Sequence, residues 1–154
     1  MERTIVLVKP DGVQRGLIGQ IISRFEKKGL KLVGLKMMNL TDDILDEWYA
    51  HHKEKPFFGA LKKFMESSPI VAMLWEGLEA VDAVRKICGV TKARAAEAGS
   101  IRGDYGMSQS NNLIHASDSL ENAKKEEGLM FKSGEVFDYD KSEYLFVYSV
   151  EERE

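Results

Sequence analysis

The strongest constraint on the fold is a pair of short, continuous apolar runs. Residues 4–8 read Thr-Ile-Val-Leu-Val, and residues 70–75 read Ile-Val-Ala-Met-Leu-Trp. Because neither run alternates with polar residues, each must be covered on both faces. The two runs are therefore predicted to be the central strands of one sheet.

Helical signals follow each run. Apolar residues recur at helical spacing over residues 13–25, and Asp11 is predicted to cap that helix. A second stripe of the same kind spans residues 78–88. Asp118 with Glu121 three residues later is typical of a capping box, which predicts the start of a last helix.

The remaining elements complete a recognisable order. Residues 30–40 are predicted to be a second strand, and a short apolar piece at residues 113–114 leads into another. Two short helices are predicted, one over residues 41–49 and one after Pro56. With these set aside, the order is β-α-β-β-α-β. It predicts a ferredoxin-like α+β fold, with a four-stranded antiparallel sheet, helices packed on it and an inserted helical hairpin.

Composition narrows the class of protein. The net charge is −3 and the basic residues are scattered, which argues against nucleic acid or a membrane as the main partner. The only cysteine, Cys88, cannot form an internal disulfide, and no segment approaches the roughly 20 apolar residues of a membrane span. No repeat or linker divides the chain. We therefore expect residues 1–154 to form one domain, a cytoplasmic enzyme or binding protein.

The common signatures of phosphate and metal sites are missing from the sequence. There is no G-x-x-x-x-G-K-[ST] loop, and no G-x-G-x-x-G follows a strand. His51 and His52 are adjacent, so on a helix their side chains diverge, and one cysteine gives no zinc pattern. No metal site built from protein ligands is predicted.

His115 is the strongest candidate for a direct role in a reaction. It follows the short apolar piece at residues 113–114 and is predicted to end that strand. A neutral imidazole can accept a phosphoryl group, provided that one ring nitrogen is held so that the other faces the phosphorus. Glu126, about two turns along the last helix, could hold it. Each residue alone fits a structural role equally well, as a satisfied histidine or as a solvated carboxylate.

Three cations are placed where they could meet a phosphate. Lys9 ends the first buried strand, Arg85 lies on the second amphipathic helix, and Arg102 lies in a Gly- and Ser-rich segment over residues 90–111. Each alone is typical of a surface charge. Together they could stabilise the charge on the equatorial oxygens of a transferring phosphoryl group.

Two adjacent phenylalanines offer a surface for a base. Phe57 and Phe58 cannot both point into the core of the predicted helix, so one ring is expected to be available for stacking, with Leu61 one turn further along. Residue types alone thus indicate a possible nucleotide phosphoryl transferase and no more.

Five blocks of the sequence resemble a known family. Residues 112–118 (Asn-Leu-Ile-His-Ala-Ser-Asp) closely resemble the N-x-x-H-G-S-D signature around the active-site histidine of nucleoside diphosphate kinases. Four further blocks are similar to that family in order and spacing, at residues 9–16, 56–58, 71–77 and 101–104. The resemblance extends from residue 3 to about residue 137.

The resemblance implies a ping-pong reaction through a phosphohistidine. His115 takes the γ-phosphoryl group of a nucleoside triphosphate and passes it to a nucleoside diphosphate. Glu126 orients the imidazole, while Asn112 and Ser117 support the site. Five residues are implied to position the phosphates and stabilise the transition state: Lys9, Tyr49, Arg85, Thr91 and Arg102.

The same resemblance implies the base site, the cofactor and the assembly. Phe57 stacks on the base with Leu61 beside it, and stacking on a ring face predicts broad base specificity. Mg²⁺ arrives with the nucleotide and is held mainly by phosphate oxygens. Homo-oligomers are expected, with a hexamer favoured over a tetramer.

Two positions depart from the family pattern. Ala116 follows the histidine where the family has glycine, which is tolerated if the backbone angle φ is negative there. Ala93 and its neighbours, residues 92–94, stand where many members have a proline. In the family that loop contributes to subunit contacts. This departure therefore bears on how the subunits assemble.

Two alternatives stay open on sequence grounds. A non-catalytic nucleotide sensor of the same fold is expected to lose the nucleophile or its holder, yet His115, Glu126 and Lys9 are all present. An RNA-binding sheet of this fold class needs aromatic residues on its central strands. Residues 4–8 contain none, and the net charge is negative.

Overall fold

A computed structural model, which describes residues 1–153, places four strands in one antiparallel sheet. The strands are β1 (Glu2–Val8), β2 (Lys31–Met38), β3 (Ile70–Gly77) and β4 (Ile114–Ala116), in the spatial order β2-β3-β1-β4. The two continuous apolar runs are the central strands β1 and β3, as predicted. All eight residues of β3 are buried.

Eight helices connect and cover the strands in the described part of the chain. Their bounds are α1 (Pro10–Gln14), α2 (Ile18–Lys28), α3 (Asp42–Trp48), α4 (Phe58–Met65), α5 (Ala80–Cys88), α6 (Ile101–Tyr105), α7 (Leu120–Met130) and α8 (Tyr144–Val147). Helices α3 and α4 are the predicted inserted hairpin. The ferredoxin-like α+β fold predicted from the order of elements is confirmed.

The central strand β1 separates two hydrophobic cores. Because successive side chains of a strand point to opposite faces, Val6 packs with the cluster around Phe25 and Trp75, whereas Ile5 packs with the cluster around Leu45. Every apolar residue of β1 is thereby removed from water. Burying a large aliphatic side chain stabilises the fold by about 1.5–3 kcal/mol, so these runs contribute strongly to the fold.

The prediction for the first helix is wrong in its start and its continuity. Lys9 precedes the helix and Pro10 is its first residue, where the missing proline N–H costs nothing. The helix also breaks, and Gly16, with φ +68°, lies between α1 and α2. Asp11 does not cap α1. Its carboxylate Oδ2 accepts a hydrogen bond from the backbone N–H of Leu113 at 3.0 Å.

The predicted capping box of the last helix is also wrong. Ser119 caps α7, and its Oγ accepts a hydrogen bond from the backbone N–H of Asn122 at 3.1 Å. Glu121 instead pairs with Lys125 one turn further on, at 2.7 Å. The shift by one residue arises because both Asp118 and Ser119 are competent caps, and the sequence does not distinguish them.

Two further findings concern the segment around the histidine. Residues 90–111, for which no element is predicted, contain α6, which Ser100 caps by accepting from the N–H of Gly103 at 3.0 Å. A five-residue helix containing a glycine has too weak a propensity to be read from sequence. His115 does not end a strand but is the middle residue of β4, opposite Leu7 of β1.

Candidate active site

A cleft of about 1120 Å³ opens beside β4, between the inserted hairpin and α7. It brings together nine of the eleven side chains predicted for the site from the sequence. These nine are Lys9, Tyr49, Leu61, Arg85, Thr91, Arg102, Asn112, His115 and Glu126. They come from segments as far apart in the chain as Lys9 and Glu126, so the cleft exists only once the chain has folded.

His115 lies in the wall of this cleft with one ring nitrogen already engaged. Nε2 is 3.0 Å from Oε1 of Glu126, and a quarter of the side chain is exposed. A carboxylate can only accept, so this contact assigns the ring hydrogen to Nε2 in the neutral imidazole. Nδ1 then carries the lone pair and is the nitrogen available as a nucleophile.

Glu126 is a buried carboxylate and not the solvated charge that its sequence context equally allowed. Only 6% of its surface is exposed. Besides His115, it accepts hydrogen bonds from Ser117 Oγ and, at 3.0 Å, from Trp48 Nε1. Burial opposes ionisation, but these donors outweigh it and hold the pKa of Glu126 below its ordinary value. The carboxylate therefore stays charged and its position is fixed.

Trp48 is a site residue that sequence reasoning missed. Its ring meets the imidazole of His115 edge to face, with centroids 4.8 Å apart, and the ring of Tyr49 stacks on it with centroids 4.6 Å apart. Trp48 ends α3, so its position follows from how the inserted hairpin docks on α7. Its only signal in the sequence was adjacency to Tyr49, which does not indicate a contact with His115.

Lys9 is buried at the floor of the cleft. Its ammonium donates to the carbonyl of Ser110 at 2.6 Å and to Oδ1 of Asn112 at 2.8 Å. It also lies over the ring of Phe64, 5.1 Å from the centroid. Burial lowers the pKa of Lys9 to about 8, with the nearby Asp11 acting in the opposite direction. The amine is therefore held by neutral partners, without a carboxylate in hydrogen-bond contact.

The residues just before His115 are fixed by the loop around them. Asn112 donates from Nδ2 to the carbonyls of Thr91 and Gln109, at 2.9 and 2.8 Å. Leu113 has φ +76°, a left-handed conformation that costs a leucine energy and is held here by its surroundings. Its carbonyl accepts from the N–H of Lys9 at 2.8 Å. The nucleophile thus follows a strained residue that α1 and its preceding turn hold in place.

Arg102 connects separate parts of the same loop by hydrogen bonds. Its three nitrogens donate to three backbone carbonyls: Nε to Asn112 at 3.2 Å, one terminal nitrogen to Gly89 at 2.7 Å and the other to Ile114 at 2.6 Å. Burial lowers the pKa of Arg102. A guanidinium carries five N–H groups, so two remain to face the cleft that this residue also lines. Arg102 is therefore both a structural tie and a cation of the site.

The other predicted residues that line the cleft are less constrained. Arg85 and Thr91 are exposed at its rim, and Leu61 is half-buried. Tyr49 is held between Trp48 and the cleft, and burial raises the pKa of its hydroxyl, which keeps the phenol neutral. These side chains have room to rearrange around a ligand.

Two predicted site residues, Ser117 and Phe57, do not line the cleft. Ser117 is fully buried and donates to Glu126. Phe57 lies apart from the cleft. It immediately precedes α4, half of its surface is exposed, and its ring centroid lies 5.4 Å from that of His52. The sequence-based inference that one of Phe57 and Phe58 lies outside the core is correct, since Phe58 is the more covered of the two.

Neither a metal cluster nor a membrane helix is found in residues 1–153. No group of three or more His, Cys, Asp or Glu side chains is placed there to hold a metal ion. No helix in that range is long and apolar enough to cross a membrane.

A held imidazole and a group of cations in one cleft of this α+β fold define the class of the protein as a phosphotransferase. The sequence pattern of one such family, described as nucleoside diphosphate kinase, matches residues 2–136. The chain belongs to the nucleoside diphosphate kinase family.

Individual relatives agree over nearly the whole chain. A nucleoside diphosphate kinase from Parabacteroides distasonis is 52% identical over 152 residues, covering 99% of each chain. Among solved structures, a halophilic nucleoside diphosphate kinase from Halobacterium salinarum in complex with CDP is 48% identical, with a TM-score of 0.93, covering 96% of this chain and 99% of that one. A nucleoside diphosphate kinase family protein from Babesia bovis is 44% identical, also with a TM-score of 0.93, covering 96% of this chain and 100% of that one.

Proposed function

We propose that this chain moves the γ-phosphoryl group from a nucleoside triphosphate to a nucleoside diphosphate through Nδ1 of His115. The observation that carries the proposal is the bond between Nε2 of His115 and the buried Glu126, at 3.0 Å. It leaves the lone pair of Nδ1 for the phosphorus. The ping-pong course is the activity of the family to which the chain belongs.

Each half-reaction is a simple displacement. The Nδ1 lone pair of His115 forms the N–P bond while the bond from the γ-phosphorus to its bridging oxygen breaks, and the nucleoside diphosphate leaves with that electron pair. The hydrogen on Nε2 stays in its bond to Glu126 throughout. An incoming diphosphate then attacks the phosphohistidine by the reverse step, so one cleft serves donor and acceptor.

We propose that the cations of the cleft stabilise the charge that spreads over the equatorial oxygens. Lys9 and Arg102 are supported in this role by their burial, because a charge acts more strongly where water is excluded. Arg85 and Thr91 are proposed to close on the outer phosphates from the rim. Tyr49 is proposed to position the phosphates as a neutral hydroxyl.

The polar residues around the nucleophile have a different proposed role. Asn112 accepts from Lys9 and so places the ammonium, while its own amide group joins the segments on either side of the cleft. Ser117 donates to the second oxygen of Glu126 and fixes the rotation of that carboxylate. Both act on the residues that meet the nucleotide.

For the base, we propose stacking on Phe57 with Leu61 beside it. The exposed ring of Phe57 and the position of Leu61 in the lining of the cleft support this. A ring face recognises every base alike, so broad base specificity is expected. The relative from Halobacterium salinarum was solved with CDP, which supports a nucleoside diphosphate as a ligand here.

Mg²⁺ is proposed to enter with the nucleotide. This ion prefers oxygen ligands and keeps several of its waters, so phosphate oxygens can supply most of what it needs. In residues 1–153 the carboxylates of the cleft do not converge in a group of three. Asp118, an exposed carboxylate in the lining of the cleft, is proposed for an outer contact. When bound, the ion neutralises phosphate charge.

We further propose a single domain over residues 1–154, and a homo-oligomer that is a hexamer rather than a tetramer. Residues beyond the matched region pack back on the sheet, since Lys141 Nζ donates to the carbonyl of Leu30 at 3.0 Å and the Tyr148 hydroxyl accepts from the N–H of Leu78. Large exposed apolar side chains, among them Phe146, which is 91% exposed, support association. A cytoplasmic location is proposed, and the single free thiol of Cys88 is compatible with it.

The mechanism is tested by following a labelled phosphoryl group. The protein is incubated with γ-labelled ATP and Mg²⁺, freed of nucleotide, and then given unlabelled GDP. We expect label that is labile to acid but stable to base, and its transfer to GTP. His115→Ala is expected to carry no label, whereas His52→Ala, the matched histidine control, retains it. Absence of label on the wild type, or its retention in His115→Ala, contradicts the proposal and favours a non-catalytic nucleotide binder.

A further inference from the structure

One oxygen of the buried carboxylate serves two nitrogen donors. Oε1 of Glu126 lies 3.0 Å from Nε2 of His115 and 3.0 Å from Nε1 of Trp48. The other oxygen accepts from Ser117. Trp48 thus shares its acceptor atom with the proposed nucleophile, and it also touches the ring itself, edge to face, with an interplanar angle of 84°.

Sharing that oxygen limits where Glu126 can hold the ring. A carboxylate that serves one donor can turn with it, whereas Oε1 here also accepts from the indole N–H of Trp48, and the second oxygen accepts from Ser117. The indole N–H is a permanent donor that never ionises in the working range of pH. It therefore fixes the oxygen to which Nε2 of His115 donates, and with it the direction of the ring.

Contact with the ring limits its movement as well. An imidazole held by one hydrogen bond can still rotate about the bond joining it to the β-carbon. The perpendicular contact between the rings of Trp48 and His115 blocks part of that rotation, and Tyr49 stacks on Trp48. The direction of the Nδ1 lone pair is thereby narrowed, which matters because displacement at phosphorus requires alignment.

We propose that Trp48 is a positioning residue that keeps the imidazole of His115 aimed at the phosphate. It acts through the shared oxygen of Glu126 and through ring contact. The inference rests on the proposed phosphohistidine mechanism and adds to it a second nitrogen donor on the carboxylate that holds His115.

Two substitutions separate the hydrogen bond from the ring. Trp48→Phe retains an aromatic side chain but removes the N–H. Trp48→His restores an N–H in the same place, because an imidazole superimposes on the five-membered ring of indole with Nε2 at the position of Nε1. The readouts are the single-turnover rate of phosphorylation at saturating ATP with Mg²⁺, measured by rapid quench on the full chain, and the dissociation constant of ADP.

Trp48→Phe is expected to lower this rate by about three- to tenfold, the factor that loss of one hydrogen bond typically carries. The dissociation constant of ADP stays unchanged, because the substitution alters the aim of the nucleophile and not the binding of the nucleotide. Trp48→His returns most of the rate. A Trp48→Phe rate equal to that of the wild type, a deficit accompanied by weaker ADP binding, or one that histidine does not restore overturns the proposal.

A measurement on the wild type removes any dependence on the folding of variants. Trp48 and Trp75 are the only tryptophans, and Trp75 lies in the core against Phe25. In ¹H–¹⁵N spectra the indole signal of Trp48 is expected to move when His115 is phosphorylated, while that of Trp75 stays in place. An unmoved Trp48 signal on phosphorylated protein counts against the proposal. If the wild type accepts no phosphoryl group, it is the mechanism itself that fails.

Discussion

At the scale of single residues, the site consists of charged groups whose environment decides their chemistry. Glu126 and Lys9 are both almost fully covered, yet their pKa values move in ways that suit different tasks. Three donors keep Glu126 ionised despite its burial, so it can hold His115. Lys9 has only neutral hydrogen-bond partners, so burial brings its pKa down to about 8. Such displaced values are typical of functional sites.

The pKa of Lys9 predicts how nucleotide binding depends on pH. A phosphate placed beside Lys9 favours the charged amine, so binding above about pH 8 must take up a proton. We expect the affinity for ADP to fall as pH rises through 8, with an uptake of close to one proton, about 0.9, near pH 9. Calorimetric titrations in buffers of different ionisation enthalpy measure that uptake.

Lys9→Arg is the matched control for this dependence. A guanidinium stays protonated throughout the range, so this variant should bind ADP without proton uptake near pH 9. Equal uptake by the wild type and Lys9→Arg assigns the proton to another group and contradicts the role given to Lys9. Between pH 8 and the ordinary lysine value near 10.5, the unfolded chain binds more protons than the folded one at this residue. Lys9 therefore makes stability rise with pH in that window.

At the scale of elements, the nucleophile is placed by a close crossing of α1 and the segment before β4. Gly12 lies in α1, and a β-carbon there would be 2.8 Å from the carbonyl oxygen of Leu113 and 2.7 Å from the side chain of Val8. Only a glycine lets the two segments approach this closely. The left-handed Leu113 and the position of His115 two residues later depend on that approach.

Gly12→Ala is therefore expected to harm both stability and rate. Overpacking against backbone costs about 1–3 kcal/mol, and a displaced nucleophile lowers the phosphorylation rate by roughly tenfold or more. Urea unfolding at fixed protein concentration and rapid-quench phosphorylation measure the two effects. Gly19→Ala is the matched control, because its β-carbon in α2 meets nothing within 4 Å. That change should stabilise by roughly 0.5–1 kcal/mol and leave the rate alone. Equal behaviour of the two variants would show that the crossing does not place His115.

The residue after His115 shows how β4 accepts a departure from the family pattern. Ala116 stands where the family pattern has glycine, and the condition for tolerating it was a negative φ. In the described chain, Glu79 and Leu113 are the residues other than glycine with positive φ, so Ala116 meets that condition. It pairs with Val6 as an ordinary strand residue. The alanine therefore fits β4 without strain.

At the scale of the whole molecule, apolar surface is left over after folding. Leu35 and Met37 lie on β2, an edge strand of the sheet, and about half of each side chain is exposed. Phe137 follows nearby, since its N–H donates to the carbonyl of Val33 at 2.8 Å. An edge strand with exposed apolar side chains is prone to pair with another chain. This surface supports the proposed homo-oligomer.

Charging that edge is expected to weaken the assembly. The double substitution Leu35→Glu and Met37→Glu places four carboxylates where two copies would meet, because each copy brings two. Sedimentation velocity should show smaller species than the wild type at the same concentration. Lys63→Glu, an exposed change on α4, should leave sedimentation unchanged. Intact assembly of the double variant would exclude this edge as an interface.

The order of elements and the identity of the central strands were predictable from local patterns. Continuous apolar runs need burial on both faces, and helical stripes need one covered face, so their order alone indicated the sheet and its helices. Element ends were less predictable. Ser119 and Asp118 are equally good caps, and Pro10 rather than Asp11 begins α1. Which candidate caps a helix depends on whether its side chain has another partner. Asp11 has one, because its carboxylate accepts from the N–H of Leu113.

The sequence by itself determined the fold class, because the order of apolar runs and helical stripes is encoded in local residue types and spacing. Its resemblance to a family added the site, and nine of the eleven residues predicted for that site share the cleft. Tertiary structure alone decided which groups touch. It brought Trp48 of the inserted hairpin onto Glu126, buried Lys9 until its pKa fell, and left Phe57 outside the cleft. These outcomes depend on distances and exclusion of water between segments far apart in the chain, and no local pattern carries that information.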